Sequence, residues 1–215
     1  MAKSKFNYRK LATASGLPIY FMDLPQAPTV AVGILVKAGT REEIWPREAG
    51  LAHALEHMLF QGTKRFPTSQ EVSAYIENVG GIVNAWTTKE MTFYWRQVPA
   101  GEAERAFISL ADQLHDPLIL AERIGTEMQN IVQEIKRRND DQPHYLAYRA
   151  EQFLYGDHPL GKDTLGTEDS VSRFQRADFI AFWQKFYHFD NCAVIIAGNV
   201  SESKIIQFTK DLFPD

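Results

Sequence analysis

One segment of the chain, GLAHALEHMLFQGT (residues 50–63), combines an apolar helix pattern with three ionisable side chains. The apolar residues predict a helix that packs against a core, yet His53, Glu56 and His57 lie within five residues. Burying such groups without partners is costly, because each loses its hydrogen bonds to water. A fold that contains this helix must therefore supply partners for three polar groups at one place.

The spacing of the two histidines is that of a metal-binding pair. Residues four apart share a helix face, so His53 and His57 are expected to project side by side and to hold one metal ion. Glu56 lies beside the pair, where it can take a proton from a metal-activated water and pass it to a leaving amine. The order H-x-x-E-H is the inverse of the H-E-x-x-H zinc motif.

A third protein ligand has to come from another element, since catalytic zinc sites usually have three protein ligands and one open position. The predicted helix at residues 120–141 carries Glu122, Glu127 and Glu134. Glu127 and Glu134 are two turns apart on one face, and spacing alone does not choose between them. Taken singly, each is more typical of a solvated helix carboxylate.

The rest of the chain alternates between strand and helix patterns. We predict a hairpin at residues 6–23 that turns at Ser15-Gly16, and a loop at residues 155–169. Further strands are predicted at residues 29–40, 82–88, 91–99 and 191–200. Helices are predicted at residues 46–62, 68–80, 101–115, 120–141, 145–155 and 174–187 and from Ser201, with Pro143 separating the fourth from the fifth. This order predicts an α+β fold, a mostly antiparallel sheet covered by helices, in a single domain spanning residues 1–215.

Composition excludes several classes of function. The net charge of −4, from 23 basic and 27 acidic residues, favours neither nucleic acid nor a membrane surface as a partner. The one cysteine, Cys192, excludes an intramolecular disulfide and a thiolate-rich metal site, and we predict that it is buried in a strand. No secretory signal or membrane-spanning segment is recognisable, so the expected location is cytoplasmic.

Four segments resemble the pitrilysin–insulinase family of zinc metallopeptidases, the inverzincins, which includes the mitochondrial processing peptidases and bacterial relatives. They are GLAHALEHMLFQGTKRFP, GGIVNAWTTKEMTFYWRQVP, HPLGKDTLGTED and NCAVIIAGNVS, so the similarity extends over about residues 8–213. In that family a glutamate that follows the H-x-x-E-H helix after about 76 residues is the third zinc ligand. Here 76 residues separate His57 from Glu134.

The resemblance implies a role for each residue of the site. His53, His57 and Glu134 would bind one Zn²⁺ per chain, and Glu56 would be the catalytic general base. Glu127, seven residues before Glu134, would support the site without binding the metal.

The resemblance also implies a place for the substrate. Asn84 and Ala85 would lie at a sheet edge beside the cleft, where an extended peptide adds as a further strand. Four aromatic residues nearby can line a pocket, although packing of the sheet against its helices is the commoner role; they are Trp86, Phe93, Tyr94 and Trp95.

Family members consist of two similar halves that close like a clam around a peptide chamber, and this chain matches the zinc-binding half. The resemblance therefore implies a zinc-dependent endopeptidase, or its catalytic half, that hydrolyses short unfolded peptides. It also implies a second half-domain or a partner subunit that closes the chamber. The alternatives are a non-catalytic peptide-binding or assembly subunit on the same fold and a metal-dependent hydrolase of small molecules. The intact H-x-x-E-H motif favours the endopeptidase.

Overall fold

The computed structural model describes residues 7–13 and 16–213. Within these ranges it contains six strands and eight α-helices. The strands are β1 (Arg9–Ala12), β2 (Pro18–Asp23), β3 (Thr29–Val36), β4 (Ile82–Thr87), β5 (Thr92–Pro99) and β6 (Cys192–Gly198). The helices are α1 (Leu51–Leu59), α2 (Ser69–Glu77), α3 (Ala103–His115), α4 (Ala121–Asp140), α5 (Gln142–Tyr155), α6 (Glu168–Val171), α7 (Arg176–Phe186) and α8 (Glu202–Leu212).

The six strands form one sheet in the order β1-β2-β6-β3-β5-β4. Every neighbouring pair is antiparallel except β2 and β6, which run parallel. The prediction of an α+β fold with a mostly antiparallel sheet is thus confirmed. The predicted N-terminal hairpin is also confirmed as the β1–β2 pair, although Phe6 and Ser15 lie outside the described residues.

Helices cover one face of this sheet and leave the other more open. Along β5 the residues alternate strictly, and Thr92, Tyr94, Arg96 and Val98 are buried while their neighbours are only half-buried. Helix α3 packs against β3 and β5, and α1 packs against β4 and β5. Cys192 is buried in β6, as predicted. The period-two pattern of the strands therefore turns alternate side chains towards α3 and towards α1, the helix that carries the H-x-x-E-H motif.

Two helix boundaries differ from the predictions. Helix α1 begins at Leu51 and not at Pro46, because Gly50 adopts a left-handed backbone with φ of 87° that a helix cannot include. The predicted separation at Pro143 was wrong in position. Helix α5 begins at Gln142 and contains Pro143 in its first turn, where the missing N–H of proline has no helical partner to lose.

Two smaller differences concern strand and loop ends. Strand β3 ends at Val36, and a short 3-10 turn at Thr40–Glu42 follows. The predicted loop at residues 155–169 contains a 3-10 turn, Pro159–Gly161, and α6 begins at Glu168. Among the residues that the structure describes, no helix combines the length and the apolar character needed to cross a bilayer.

The N-terminus of α1 is held by a buried carboxylate from the preceding segment. Glu43 is 7% exposed, and its two carboxylate oxygens accept hydrogen bonds of 2.9 Å from the N–H groups of Gly50 and Ala52. Burial raises the pKa of Glu43 well above its usual range, against the opposing effect of these backbone hydrogen bonds. Since the first N–H groups of a helix have no partners within it, Glu43 satisfies two groups that burial would otherwise leave unpaired.

We expect Glu43→Ala to lower the free energy of unfolding by about 2–4 kcal/mol, because each buried N–H that loses its acceptor costs roughly 1–3 kcal/mol. Chemical denaturation followed by tryptophan fluorescence measures the change. Glu42→Ala is the matched control, since Glu42 is exposed and its side chain has no hydrogen bond or ion pair within the described ranges. The control should change stability by less than about 0.5 kcal/mol. Equal stabilities for the two variants would contradict this role of Glu43.

Candidate metal centre and active site

Helices α1 and α4 pack against each other through apolar side chains and bring their polar side chains together at the edge of that contact. The Nε2 atom of His53 lies 3.8 Å from Oε1 of Glu134, and Nε2 of His57 lies 3.7 Å from Oε2 of the same carboxylate. One ligand atom from each of the three residues falls within 4.8 Å of the others. Two imidazole nitrogens and one carboxylate oxygen are a donor set that suits a catalytic zinc ion.

The geometry distinguishes the three glutamates of α4, including the pair Glu127 and Glu134 that spacing left open. Glu134 joins the two histidines in one cluster, whereas Glu122 is exposed and lies outside it. Glu127 approaches from the other side of the His57 ring, with its Oε2 3.7 Å from Nδ1. That distance is longer than a hydrogen bond, so the contact is electrostatic here. The structure thus places Glu127 where it can orient His57 and not where it can complete the cluster.

Burial keeps His53 in the form that binds metals. The residue is 8% exposed, and burial, together with the nearby charges of His57 and Arg138, lowers its pKa to about 3. Its imidazole is therefore neutral at physiological pH, as a metal ligand must be. Its Nδ1 atom is buried without a hydrogen-bond partner within the described ranges, while Nε2 faces Glu134. The nitrogen that faces the cluster is the one available to a metal.

His57, unlike His53, is surrounded by carboxylates. Burial lowers its pKa, but the contact with Glu127 and the charges of Glu56 and Glu134 outweigh burial, so the pKa lies above its usual value. The three carboxylates thus surround one imidazole with negative charge. A divalent cation between His57 and Glu134 would neutralise much of that charge.

Glu56 lies beside the histidines, as its position in the motif predicts. Its carboxylate is half-buried, and Oε2 accepts a hydrogen bond of 2.5 Å from the Oγ1 hydroxyl of Thr87. Burial raises the pKa of Glu56 and the charge of Glu134 adds to that increase, while Thr87 and His57 oppose it. A carboxylate whose pKa lies closer to neutral is better suited to accept and then return a proton.

These residues line an open cleft of about 820 Å³ between α1, β4, α4 and α5. Ala85 lines the cleft, whereas Asn84 is exposed and its Oδ1 accepts a 2.8 Å hydrogen bond from the N–H of Ala85. Of the four aromatic residues considered, Trp86 alone appears in the wall, where it is 46% exposed and packs on Phe93 with 4.7 Å between ring centroids. Tyr94 is fully buried in the core.

Sequence reasoning missed several residues of the cleft. Thr87 is the main one, and the period of the strand could have revealed it, since residues 85 and 87 share one face of β4. Arg138 forms a bidentate ion pair with Asp163 beside the cluster. The Nζ atom of Lys89 lies 3.3 Å from Oε2 of Glu151 on α5. These pairs join segments that are distant in the sequence, so no local pattern indicates them.

Comparison with protein families identifies the two parts of the chain. Residues 19–168 match the model described as insulinase (peptidase family M16), and residues 173–215 match the model described as peptidase M16 inactive domain. An uncharacterized zinc protease of Rickettsia bellii is 35% identical over 98% of this chain and 50% of its own length. An uncharacterized zinc protease of Bacillus subtilis is 30% identical over 95% of this chain and 48% of its own length. The chain thus spans about half the length of these curated relatives.

Solved structures show the same fold. A protease from Helicobacter pylori superimposes with a TM-score of 0.90 at 24% identity, over 97% of this chain and 50% of that one. Pitrilysin superimposes with a TM-score of 0.83 at 24% identity, over 99% of this chain and 23% of that one. The predicted resemblance is therefore confirmed at the level of family and fold.

We expect Glu134→Gln to weaken zinc binding by more than about 100-fold, because an amide is a poorer metal ligand than a carboxylate. Glu127→Gln should weaken it by about 10- to 100-fold, the usual effect of losing a group that supports a ligand. Competition with a chromophoric zinc indicator measures both. Glu122→Gln, on the same helix and outside the cluster, should bind zinc as the unsubstituted chain does. If Glu122→Gln and Glu134→Gln bound zinc equally, the assignment of the third ligand would be wrong.

Proposed function

Because the chain belongs to the insulinase family of peptidases (peptidase family M16), we propose that it is a zinc-dependent endopeptidase, or the catalytic half of one, that hydrolyses short unfolded peptides. The observation that carries the proposal is the convergence of His53, His57 and Glu134 within 4.8 Å, with Glu56 beside them on the same helix. Three ligands and an adjacent carboxylate are the parts that metal-assisted hydrolysis of an amide needs.

His53, His57 and Glu134 would hold the zinc ion, each through the atom that faces the other two. When bound, zinc would supply Lewis acidity towards the attacking water and the scissile carbonyl. The chain's own residues make this site suitable for it. His53 is neutral, and Glu134 brings a negative charge to a partly buried position.

Glu56 is the proposed general base. Its half-buried carboxylate lines the cleft, so it can accept a proton from the attacking water. The same carboxylic acid can then donate the proton to the nitrogen of the leaving amine, which leaves Glu56 ionised for the next cycle. Burial raises the pKa of Glu56, which makes the carboxylate a stronger base towards the attacking water than an exposed glutamate is.

The substrate peptide is proposed to add to the free edge of β4. This strand is the last of the sheet, so one of its sides has no neighbouring strand among the described residues. Ala85 lies in the cleft wall and Asn84 adjoins it, and main-chain hydrogen bonds at this edge would hold an extended peptide largely irrespective of its sequence. The exposed Trp86 offers an apolar surface to one substrate side chain.

A second half-domain or a partner subunit is proposed to close the cleft. The open cleft and the doubled length of the curated relatives support this arrangement. The alternative of a non-catalytic peptide-binding subunit predicts that peptides remain bound and uncut in the presence of zinc. Turnover experiments distinguish the two.

We expect the zinc-loaded chain to cleave members of a mixed set of short unfolded peptides, and Glu56→Gln to lower kcat by at least about 100-fold while retaining zinc. The size follows from the usual contribution of a general base. Mass spectrometry of the products measures cleavage, and metal analysis measures zinc. Glu122→Gln, remote from the cluster, is the control and should cleave normally.

Two results would count against the proposal. A zinc-loaded chain that cuts none of the peptides would lack endopeptidase activity by itself, and the same assay with a second half-domain added would then test the paired form. Undiminished cleavage by Glu56→Gln would show that another group acts as the base.

A further inference from the structure

The carboxylate of Glu56 has one hydrogen-bond partner among the described residues, and that partner is Thr87. The Oγ1 hydroxyl of Thr87 donates to Oε2 of Glu56 at 2.5 Å. Thr87 is the last residue of β4, and its side chain points to the same face as Ala85, against which α1 packs. One oxygen of the carboxylate is therefore held, and the other is left free in the cleft.

The neighbouring strand offers the hydroxyl proton of Thr87 a second, more distant acceptor. Thr87 is the cross-strand partner of Thr92 on β5, and their Oγ1 atoms are 3.5 Å apart. Thr92 is fully buried, and its own hydroxyl donates to the carbonyl oxygen of Ala38 at 3.0 Å. A hydroxyl has only one proton to donate, so Thr92 cannot also donate to Thr87 and can only accept from it. The proton of Thr87 goes to Glu56, because Oε2 is 2.5 Å from Oγ1 of Thr87 whereas Oγ1 of Thr92 is 3.5 Å away.

The anchoring of Thr87 is rigid for covalent and packing reasons. A β-branched side chain has few accessible rotamers, and a strand end paired with a buried neighbour restricts it further. The hydrogen bond to Oε2 thus fixes the rotation of the Glu56 carboxylate as well as the position of one oxygen. General-base catalysis is sensitive to such positioning, since a displacement of about 1 Å can cost roughly 100-fold in rate.

We propose that Thr87 is a positioning residue for Glu56, which holds Oε2 so that the other carboxylate oxygen is aimed at the reacting water. The inference rests on the proposed function, because it gives Glu56 the role of base. It adds a residue outside the H-x-x-E-H motif to the machinery of the reaction. It also predicts that the hydroxyl of residue 87, and not the volume of its side chain, is what matters.

The test compares Thr87→Val, which keeps the shape and removes the hydroxyl, with Thr87→Ser, which keeps the hydroxyl. In the zinc-loaded chain we expect Thr87→Val to lower kcat for peptide cleavage by about 10- to 100-fold with KM changed less than about 2-fold. Zinc content should be unchanged, and Thr87→Ser should restore most of the rate. Thr29→Val is the control, since Thr29 is a half-buried threonine away from the cleft. Its hydroxyl accepts a hydrogen bond from the side-chain amide of Gln97.

Crystal structures of the zinc-loaded chain and of Thr87→Val supply a readout that does not depend on turnover. We expect one ordered Glu56 carboxylate in the unsubstituted chain and in Thr87→Ser, and several orientations in Thr87→Val. If no variant cleaves peptides, the proposed function of the isolated chain fails while these structures still decide the role of Thr87. An unchanged Glu56 orientation in Thr87→Val, or a kcat equal to that of the Thr29 control, would overturn the inference.

Discussion

The packing of α1 against α4 decides where the ionisable groups of the cluster lie. Six of the nine residues of α1 are buried apolar side chains, and α4 contributes a buried seam; its members are Ile124, Met128, Ile131 and Ile135. Because that apolar contact fixes the two helix axes, His53 and His57 meet Glu134 without help from a flexible loop. Rigid elements hold ligands more accurately than loops do.

This packing also explains why the polar groups tolerate burial. Each histidine faces a carboxylate, and Arg138, whose charge disfavours protonation of His53, is itself paired with Asp163. The N-terminus of α1 has its own partner in Glu43. Isolated charges at these depths would be strongly unfavourable, whereas paired groups offset one another's desolvation. The polar groups at the contact between α1 and α4 therefore offset one another's cost of burial.

Local patterns were enough to predict most of the elements and the core of the site. The H-x-x-E-H spacing predicts its own geometry, because a helix places residues four apart on one face. The helix bearing Glu134 was predicted from its periodicity, yet the choice between Glu127 and Glu134 needed a resemblance to a known family. Helix phase alone puts both on one side, and only the relative position of two helices distinguishes them.

What could not be predicted depends on contacts between distant segments. The position of β6 between β2 and β3 follows from tertiary packing, since the sequence pattern of a strand does not predict which strands it pairs with. The start of α1 depends on Gly50, whose left-handed backbone brings it against Leu165, so that an added Cβ would lie 2.5 Å from the carbonyl oxygen of that residue. A glycine in an apolar helix pattern does not show by itself which conformation it adopts.

Strand β4 takes part in both the contact with Glu56 and the proposed binding of a peptide. Alternate residues of β4 face α1, among them Ala85 and Thr87, and the hydroxyl of Thr87 donates a hydrogen bond to the carboxylate of Glu56. The opposite edge of β4, away from β5, is a free edge of the sheet among the described residues. A peptide that paired with this edge would be registered against the same strand that orients the proposed base. Because consecutive residues of one strand have fixed separations, the backbone of a peptide bound to β4 would lie at a fixed distance from the carboxylate of Glu56. In the proposed arrangement strand geometry would set the position of the scissile bond, and side-chain contacts such as those of the exposed Trp86 would give selectivity.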